Sequence, residues 1–389
     1  MARKIKKSPS LNKKLTLVRA LILLFAFATF LYIGYSLFKI VTTTAPDFSG
    51  FYKATVYLLH HMNPYNPKTG IIIIPPQSML FFVPFSLLPY QIAQTIFVML
   101  SAITVPIIIF ISVKLIYKEF SYYTVLFFTS LAFIAFPTKF NLGMGQVNLF
   151  ALMFFLVGYY LYRKELFTTS GIFIAIAFLI KPILVFMILF FILQRAWKTI
   201  LAIAVTGVFF VVLSLMLFGI SVDFYYVQVI IPHLLGSTEG REVYYNQGFM
   251  GFISRLTQNL LFRKYSSSVF DIVILLSSII IIQKQKFSEF SQLAIFFTML
   301  LLVHTLAWQH QFVFLIFPFI YIVSVVWKKM KYFLLGLVLF AYLLVSWNFK
   351  NPSLYIHFPE NLLLSHTFFG AVLLFILLFY TQLKQLWEY

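Results

Sequence analysis

Asp47 is the residue with the most evident chemistry in this chain. It stands just beyond an apolar run that ends near Val41, among Thr42 to Thr44, Pro46 and Phe48. Two roles suit a carboxylate there. It can cap a helix beginning near Ser49, where acidic groups meet unpaired N–H groups and the positive end of the macrodipole. It can also be held at a membrane surface as a general base that takes a proton from an acceptor hydroxyl. The two roles are compatible. The run Gly143-Met144-Gly145-Gln146-Val147-Asn148 lies at a turn, where the glycines permit close approach. Gln146 and Asn148 set amides near the start of the next helix, and capping is their simplest use. Trp308-Gln309-His310-Gln311 gathers polar-capable side chains at another helix break, and His310 is the one histidine of seven singled out there. His60 and His61 read as solvated residues, and His304 as a helix-to-helix hydrogen-bonding group.

Other chemistries are excluded. Zero cysteines rule out disulfides, thiolate metal sites, Fe–S clusters and a cysteine nucleophile. No HExxH, no Cys/His ligand set and no DxD pair occurs, so no protein-bound metal is expected. Neither a P-loop nor a dinucleotide fingerprint is present, so ATP or NAD chemistry is not expected and no cofactor is assigned.

The elements that must position these residues are set by composition. The chain is 389 residues long, 62% hydrophobic and only 10% charged, whereas a soluble chain is about a quarter charged. The bilayer is therefore its solvent, and an all-α integral membrane fold is expected. The net charge of +19 is better explained by basic loops that fix orientation than by nucleic acid. Seven Lys or Arg crowd the first twenty residues, giving a basic cytoplasmic tail over 1–16. The apolar run from Leu17 to Val41 exceeds the ~7–15 residues of a signal-peptide core and reaches the ~20 needed to span, so it reads as an uncleaved first helix.

Further runs occupy roughly 91–113, 121–137, 146–162, 199–218, 267–282, 291–307, 311–327, 332–348 and 366–383. The stretch 170–194 has basic residues at both flanks, which calls for two short helices meeting at Lys181-Pro182. A lysine there must face protein or a water-filled cavity. With that hairpin the count is about twelve segments, two of them short, with both termini cytoplasmic and roughly two thirds of the 29 Lys and Arg inside. Asp47, Asp223, Glu239, Glu242, Asp271 and Glu360 then fall toward the outer face. Two long outer loops are expected, 42–90 with an interfacial amphipathic helix over Asp47 to His61, and 221–266. The whole of 1–389 reads as one polytopic domain.

Taken in order, Asp47-Phe48 with Phe51-Tyr52, Pro64-Tyr65, Pro75-Pro76, Gly145-Gln146 with Asn148, Gly171 followed by Lys181-Pro182, Asn246-Gln247 with Gly251 and Arg255-Leu256, and Trp308 with His310 form a pattern. That pattern resembles the GT-C superfamily of membrane glycosyltransferases, and within it glycosyltransferase family 87, the polyprenyl-phosphomannose-dependent α-mannosyltransferases. The chain departs from the family's usual residues at His61, Ile74, His304, Ala307 and Gln311. The resemblance implies a GT-C-like bundle and an inverting transfer at the outer face of the cell membrane. The donor would be a polyprenyl-phosphate sugar, with mannose as the sugar, and the acceptor a hydroxyl of a glycolipid or glycan. It further implies Asp47 as base, Lys181, Arg255 and His310 stabilising the leaving phosphate, and Gln146, Asn148, Asn246 and Gln247 orienting sugar or phosphate.

The competing reading is a polytopic lipid or solute transporter or flippase, because broken helices and intramembrane polar groups serve transporters too. Against it, the halves show no internal repeat and the polar residues gather at one face instead of the midplane. The oligomeric state has no signal in the sequence.

Overall fold

The computed structural model describes residues 9–65, 74–236, 240–283, 288–355 and 357–387. Within them the chain is all-helical and carries no β-strand, only one isolated antiparallel bridge between Asn246 and Trp308. Five helices are long and apolar enough to cross a membrane: Thr16–Val41, Tyr90–Ile116, Trp197–Phe218, Gln309–Lys328 and Glu360–Gln382. A sixth is available if Tyr122–Ile134 and Phe136–Met144, bent by 65° at Ala135, act as one span. The shorter apolar helices Asn148–Tyr162, Phe167–Ile180, Pro182–Leu193, Glu289–Leu302 and Tyr332–Ser346 would all have to cross for a count near twelve.

Local sequence explains the boundaries. The first helix starts at Pro9, so the latter half of the expected basic tail is already helical, while residues 1–8 lie outside the described set. The break at Lys181 falls where proline requires it. Lys181 is extended at φ −137° and ψ 91°, because the pyrrolidine of Pro182 disfavours helical geometry in the preceding residue. The stretch 221–266, expected as an outer loop, is largely helical in its described residues. It holds Ile220–Tyr225, Ile231–Gly236 and Phe249–Leu256, and the helix Leu260–Gln283 begins inside it. Residues 237–239, with Glu239, and 66–73, with part of the expected Pro64 to Pro67 turn, lie outside the described set.

Small residues let the central helices approach closely, as membrane packing favours where lipid offers no hydrophobic drive. A Cβ on Gly158 would come within 2.6 Å of Ile174 and one on Gly171 within 2.4 Å of Ala202. The helices 148–162, 167–180 and 197–218 are thereby keyed side by side. Aromatic rings pack the adjoining region, with Phe48 fully buried and 4.7 Å from Phe97 between ring centroids.

The glycine contacts are testable. Gly171→Val should destabilise the purified protein by about 1–3 kcal/mol through overpacking, seen as a lower thermal unfolding midpoint in detergent. An unchanged midpoint would show that the two helices are not in contact there.

Candidate active site

The corner of the chain from which Asp47 projects is held by an amide that no local motif marks. Gln94, fully buried in the helix 90–116, accepts from the Ala45 N–H (2.9 Å) and the Tyr90 hydroxyl (2.5 Å). Its Nε2 donates to the Thr43 carbonyl (2.6 Å). One side chain thus clamps the corner between the first helix and the helix Pro46–Leu59. That helix begins at Pro46, with Ala45 as a cap residue that supplies no side-chain bond. Asp47 therefore sits in the first turn, where the macrodipole favours it, and does not cap a helix starting near Ser49. Its Oδ2 instead accepts a hydrogen bond from Gln146 Nε2 at 2.7 Å.

Gln146 and Asn148 are likewise not used as caps. Gly145, at φ +69°, takes a left-handed turn that a Cβ would block at 2.5 Å from Phe48, so glycine is required for both conformation and space. The turn brings Gln146 to Asp47. Asn148, fully buried, points its Nδ2 at His310 Nδ1 (2.9 Å) and at Asn141 Oδ1 (3.0 Å), and Asn141 Nδ2 closes the loop on the Gln146 carbonyl (3.0 Å). With Asn148 donating, His310 Nδ1 is the acceptor and its proton resides on Nε2, an assignment made from the partner. The imidazole is further ordered by the Trp308 ring, parallel within 3° at a centroid distance of 6.4 Å.

Lys181 joins this set from the helix break. It interacts electrostatically with Asp47, His310 and His304. Asp47, Lys181 and His304 are surrounded by protein yet retain accessible surface, as groups lining a recess do. His304, expected as a helix-to-helix hydrogen-bonding group, stands near Lys181, a place that has no signature in local sequence. Burial raises the Asp47 carboxyl above its usual range, while the Gln146 hydrogen bond and the Lys181 charge pull it back.

Three of the residues singled out by sequence stand apart from this recess. Gln247 is fully buried, and its Nε2 donates to the carbonyls of Tyr244 (2.6 Å) and Leu364 (2.7 Å). Asn246 Nδ2 is held by the carbonyls of Arg241 and Thr305, both at 3.1 Å. Asn246 through Thr305, and Gln247 through its backbone N–H to the Ala307 carbonyl (2.8 Å), brace the chain segment that carries Trp308 and His310. Arg255 donates to Ser365 Oγ (2.7 Å) and to the Asn246 carbonyl (3.0 Å), and lines a different cavity. No group of three or more His, Asp or Glu side chains suited to a metal ion occurs among the described residues.

An apolar helical bundle that gathers a carboxylate, an ammonium, an imidazole and amides in one recess has the make-up of a membrane enzyme of group transfer. The family model for glycosyltransferase family 87 matches residues 73–303, more than half of the chain, and the chain belongs to that family. The matched span includes Gln146, Asn148, Lys181, Asn246, Gln247 and Arg255, with Asp47 before it and His310 after it. No curated protein and no solved structure matches the chain. The protein is accordingly a glycosyltransferase, and membership in this family sets it apart from transporters and flippases.

Gln146→Leu should raise the titration of Asp47, because it deletes a hydrogen bond to the charged form. Infrared titration of the carboxylate band in protein labelled with 13C-aspartate should show the Asp47 transition at higher pH than in the parent. A transition that stays in place would show that the amide does not hold this carboxylate.

Proposed function

We propose that the chain is an inverting glycosyltransferase that moves mannose from a polyprenyl-phosphate donor to a hydroxyl of a glycolipid or glycan, with Asp47 as general base. The convergence of Asp47, Gln146, Lys181, Asn148 and His310 carries this reading. With Oδ2 held by Gln146, Oδ1 receives the proton of the acceptor hydroxyl as its oxygen attacks the anomeric carbon. The bond from that carbon to the phosphate oxygen breaks on the opposite face, so configuration inverts and the polyprenyl phosphate leaves with the bonding electrons. A carboxyl raised by burial is a better-matched base for a hydroxyl than an exposed one.

The leaving phosphate needs positive charge and hydrogen-bond donors, not a proton. Lys181 supplies charge and the Nε2–H of His310 a donor, both in a water-poor site where such groups act strongly. An apolar cavity of about 300 Å³ opens in the bundle near the segment that carries His310. Phe312, Val313 and Leu315, which follow His310 directly, line it together with Pro137 and Thr138 from the helix that carries Asn141. Such a surface suits the prenyl chain of a lipid-borne donor. Asn246, Gln247 and Arg255 act in this scheme through the segment they brace. The bias of Lys and Arg supports both termini in the cytoplasm and the recess at the outer face of the cell membrane, with 1–389 working as one domain flanking the recess by 42–90 and 221–266.

Transfer of radiolabelled mannose from polyprenyl phosphomannose in membranes tests the base. Asp47→Asn should lower the rate about 10²–10⁴-fold while donor binding persists; full turnover would remove Asp47 from that role. Lys181→Met should cost about 10²–10³-fold with His310→Ala also weakening donor use, and unchanged donor kinetics in both would dissociate them from the phosphate. In the parent the rate should rise with pH as Asp47 ionises, through a limb lying above the ordinary carboxylate range.

A further inference from the structure

Residues 303–308 turn the chain between the helices Glu289–Leu302 and Gln309–Lys328, and their backbone is pinned by the neighbouring segment. The Thr305 carbonyl accepts from Asn246 Nδ2 (3.1 Å) and the Ala307 carbonyl from the Gln247 N–H (2.8 Å). The His304 carbonyl lies so near Gly248 that a Cβ on that glycine would stand 2.5 Å from it. His304 is therefore fixed from its backbone outward, on the wall that it shares with Lys181.

The imidazole so held serves no contact within the protein. Neither ring nitrogen has a hydrogen-bond partner among the described residues, and neither belongs to the chain's buried unpaired atoms, so both open onto the recess. Lys181 Nζ and Asp47 Oδ1 share that condition. His310 differs, because Asn148 already occupies its Nδ1 at 2.9 Å. A side chain fixed in place with two open nitrogens is built to meet a ligand.

The surroundings of His304 select which group of the ligand it meets. Burial, and after it the charge of Lys181, hold the imidazole neutral by lowering its pKa to about 3. A neutral ring offers one N–H and one lone pair. The ionised oxygens of a phosphate only accept and leave the lone pair unused, whereas a hydroxyl can donate to it or accept from the N–H. In the scheme above the phosphate already has Lys181 and His310. A group beside the ammonium that meets the phosphate borders the sugar which that phosphate carries.

We propose that His304 is a sugar-binding residue of the recess, which hydrogen-bonds a hydroxyl of the mannose on the donor phosphate and so selects the sugar. The proposal deepens the mannosyl-transfer reading and rests on it for the identity of that sugar. His304→Ala should lower kcat/KM for polyprenyl phosphomannose about threefold to tenfold, the effect of one hydrogen bond. Among donors carrying 2-, 3-, 4- or 6-deoxymannose, the loss should vanish for the one that lacks the contacted hydroxyl. His304→Gln, which keeps a donor and an acceptor, should recover most of the activity on the parent sugar. An equal loss on every donor, or no loss, would overturn the assignment.

A binding measurement separates this proposal from the reaction. The chain has no cysteine, so His304→Cys places a single thiol on the wall. In protein that also carries Asp47→Asn, polyprenyl phosphomannose should slow labelling of that thiol by a methanethiosulfonate about tenfold at roughly ten times the half-protecting concentration. Polyprenyl phosphate without the sugar should not. Equal protection by the two lipids, or by neither, would place the sugar elsewhere. Sugar-dependent protection without transfer by the parent protein would sink the transfer reading and leave the subsite, and transfer without such protection would sink the subsite alone.

Discussion

A carboxylate and an ammonium share a recess walled by apolar helices, and the surrounding architecture is the means of keeping them there. Either charge alone would be costly to remove from water, and each is made tolerable by the other together with hydrogen bonds. Asp47 arrives on the first turn of a short helix, and Lys181 at a break that proline imposes. Gln146 reaches the carboxylate only because Gly145 lets two helices touch. The imidazole and the buried amides of Asn141 and Asn148 then complete a polar ring whose members come from well-separated parts of the chain.

What was legible in the sequence follows from which interactions are local. The membrane-capable helices were visible because lipid demands apolar length, and the Lys181-Pro182 break because proline acts on its neighbour. Asp47 stood out as an acidic residue beyond an apolar run. Its cap-like surroundings were misleading, since Pro46 already starts the helix and Ala45 occupies the cap. Gln146 and Asn148 also looked like caps, because spacing cannot show that their amides reach across the bundle. Gln94 and His304 were hidden for the same reason, as their partners lie 49 residues away for the Gln94 bond to Ala45 and on other helices for His304.

The Asn246-Gln247 pair illustrates a different point. Two adjacent amides followed by glycines look like a binding motif, yet their side-chain amides donate to backbone carbonyls, two within their own segment at Arg241 and Tyr244 and two on other segments at Thr305 and Leu364. Gly251 is tied to the same brace, since a Cβ there would stand 2.2 Å from the Asn246 carbonyl. A family pattern can therefore mark the scaffold of a site as clearly as the site itself. Only the register of donors and acceptors in three dimensions separates them.

The clamp made by Gln94 has a mechanical side. The first apolar helix, Thr16–Val41, has 26 residues where about 20 suffice to span, and a helix with excess length takes up the surplus by tilting. Its end at Val41 is tied through Gln94 to the corner from which Asp47 projects. A change in the tilt of that helix is therefore coupled to the corner that bears the carboxylate, through bonds to none of the groups that face it.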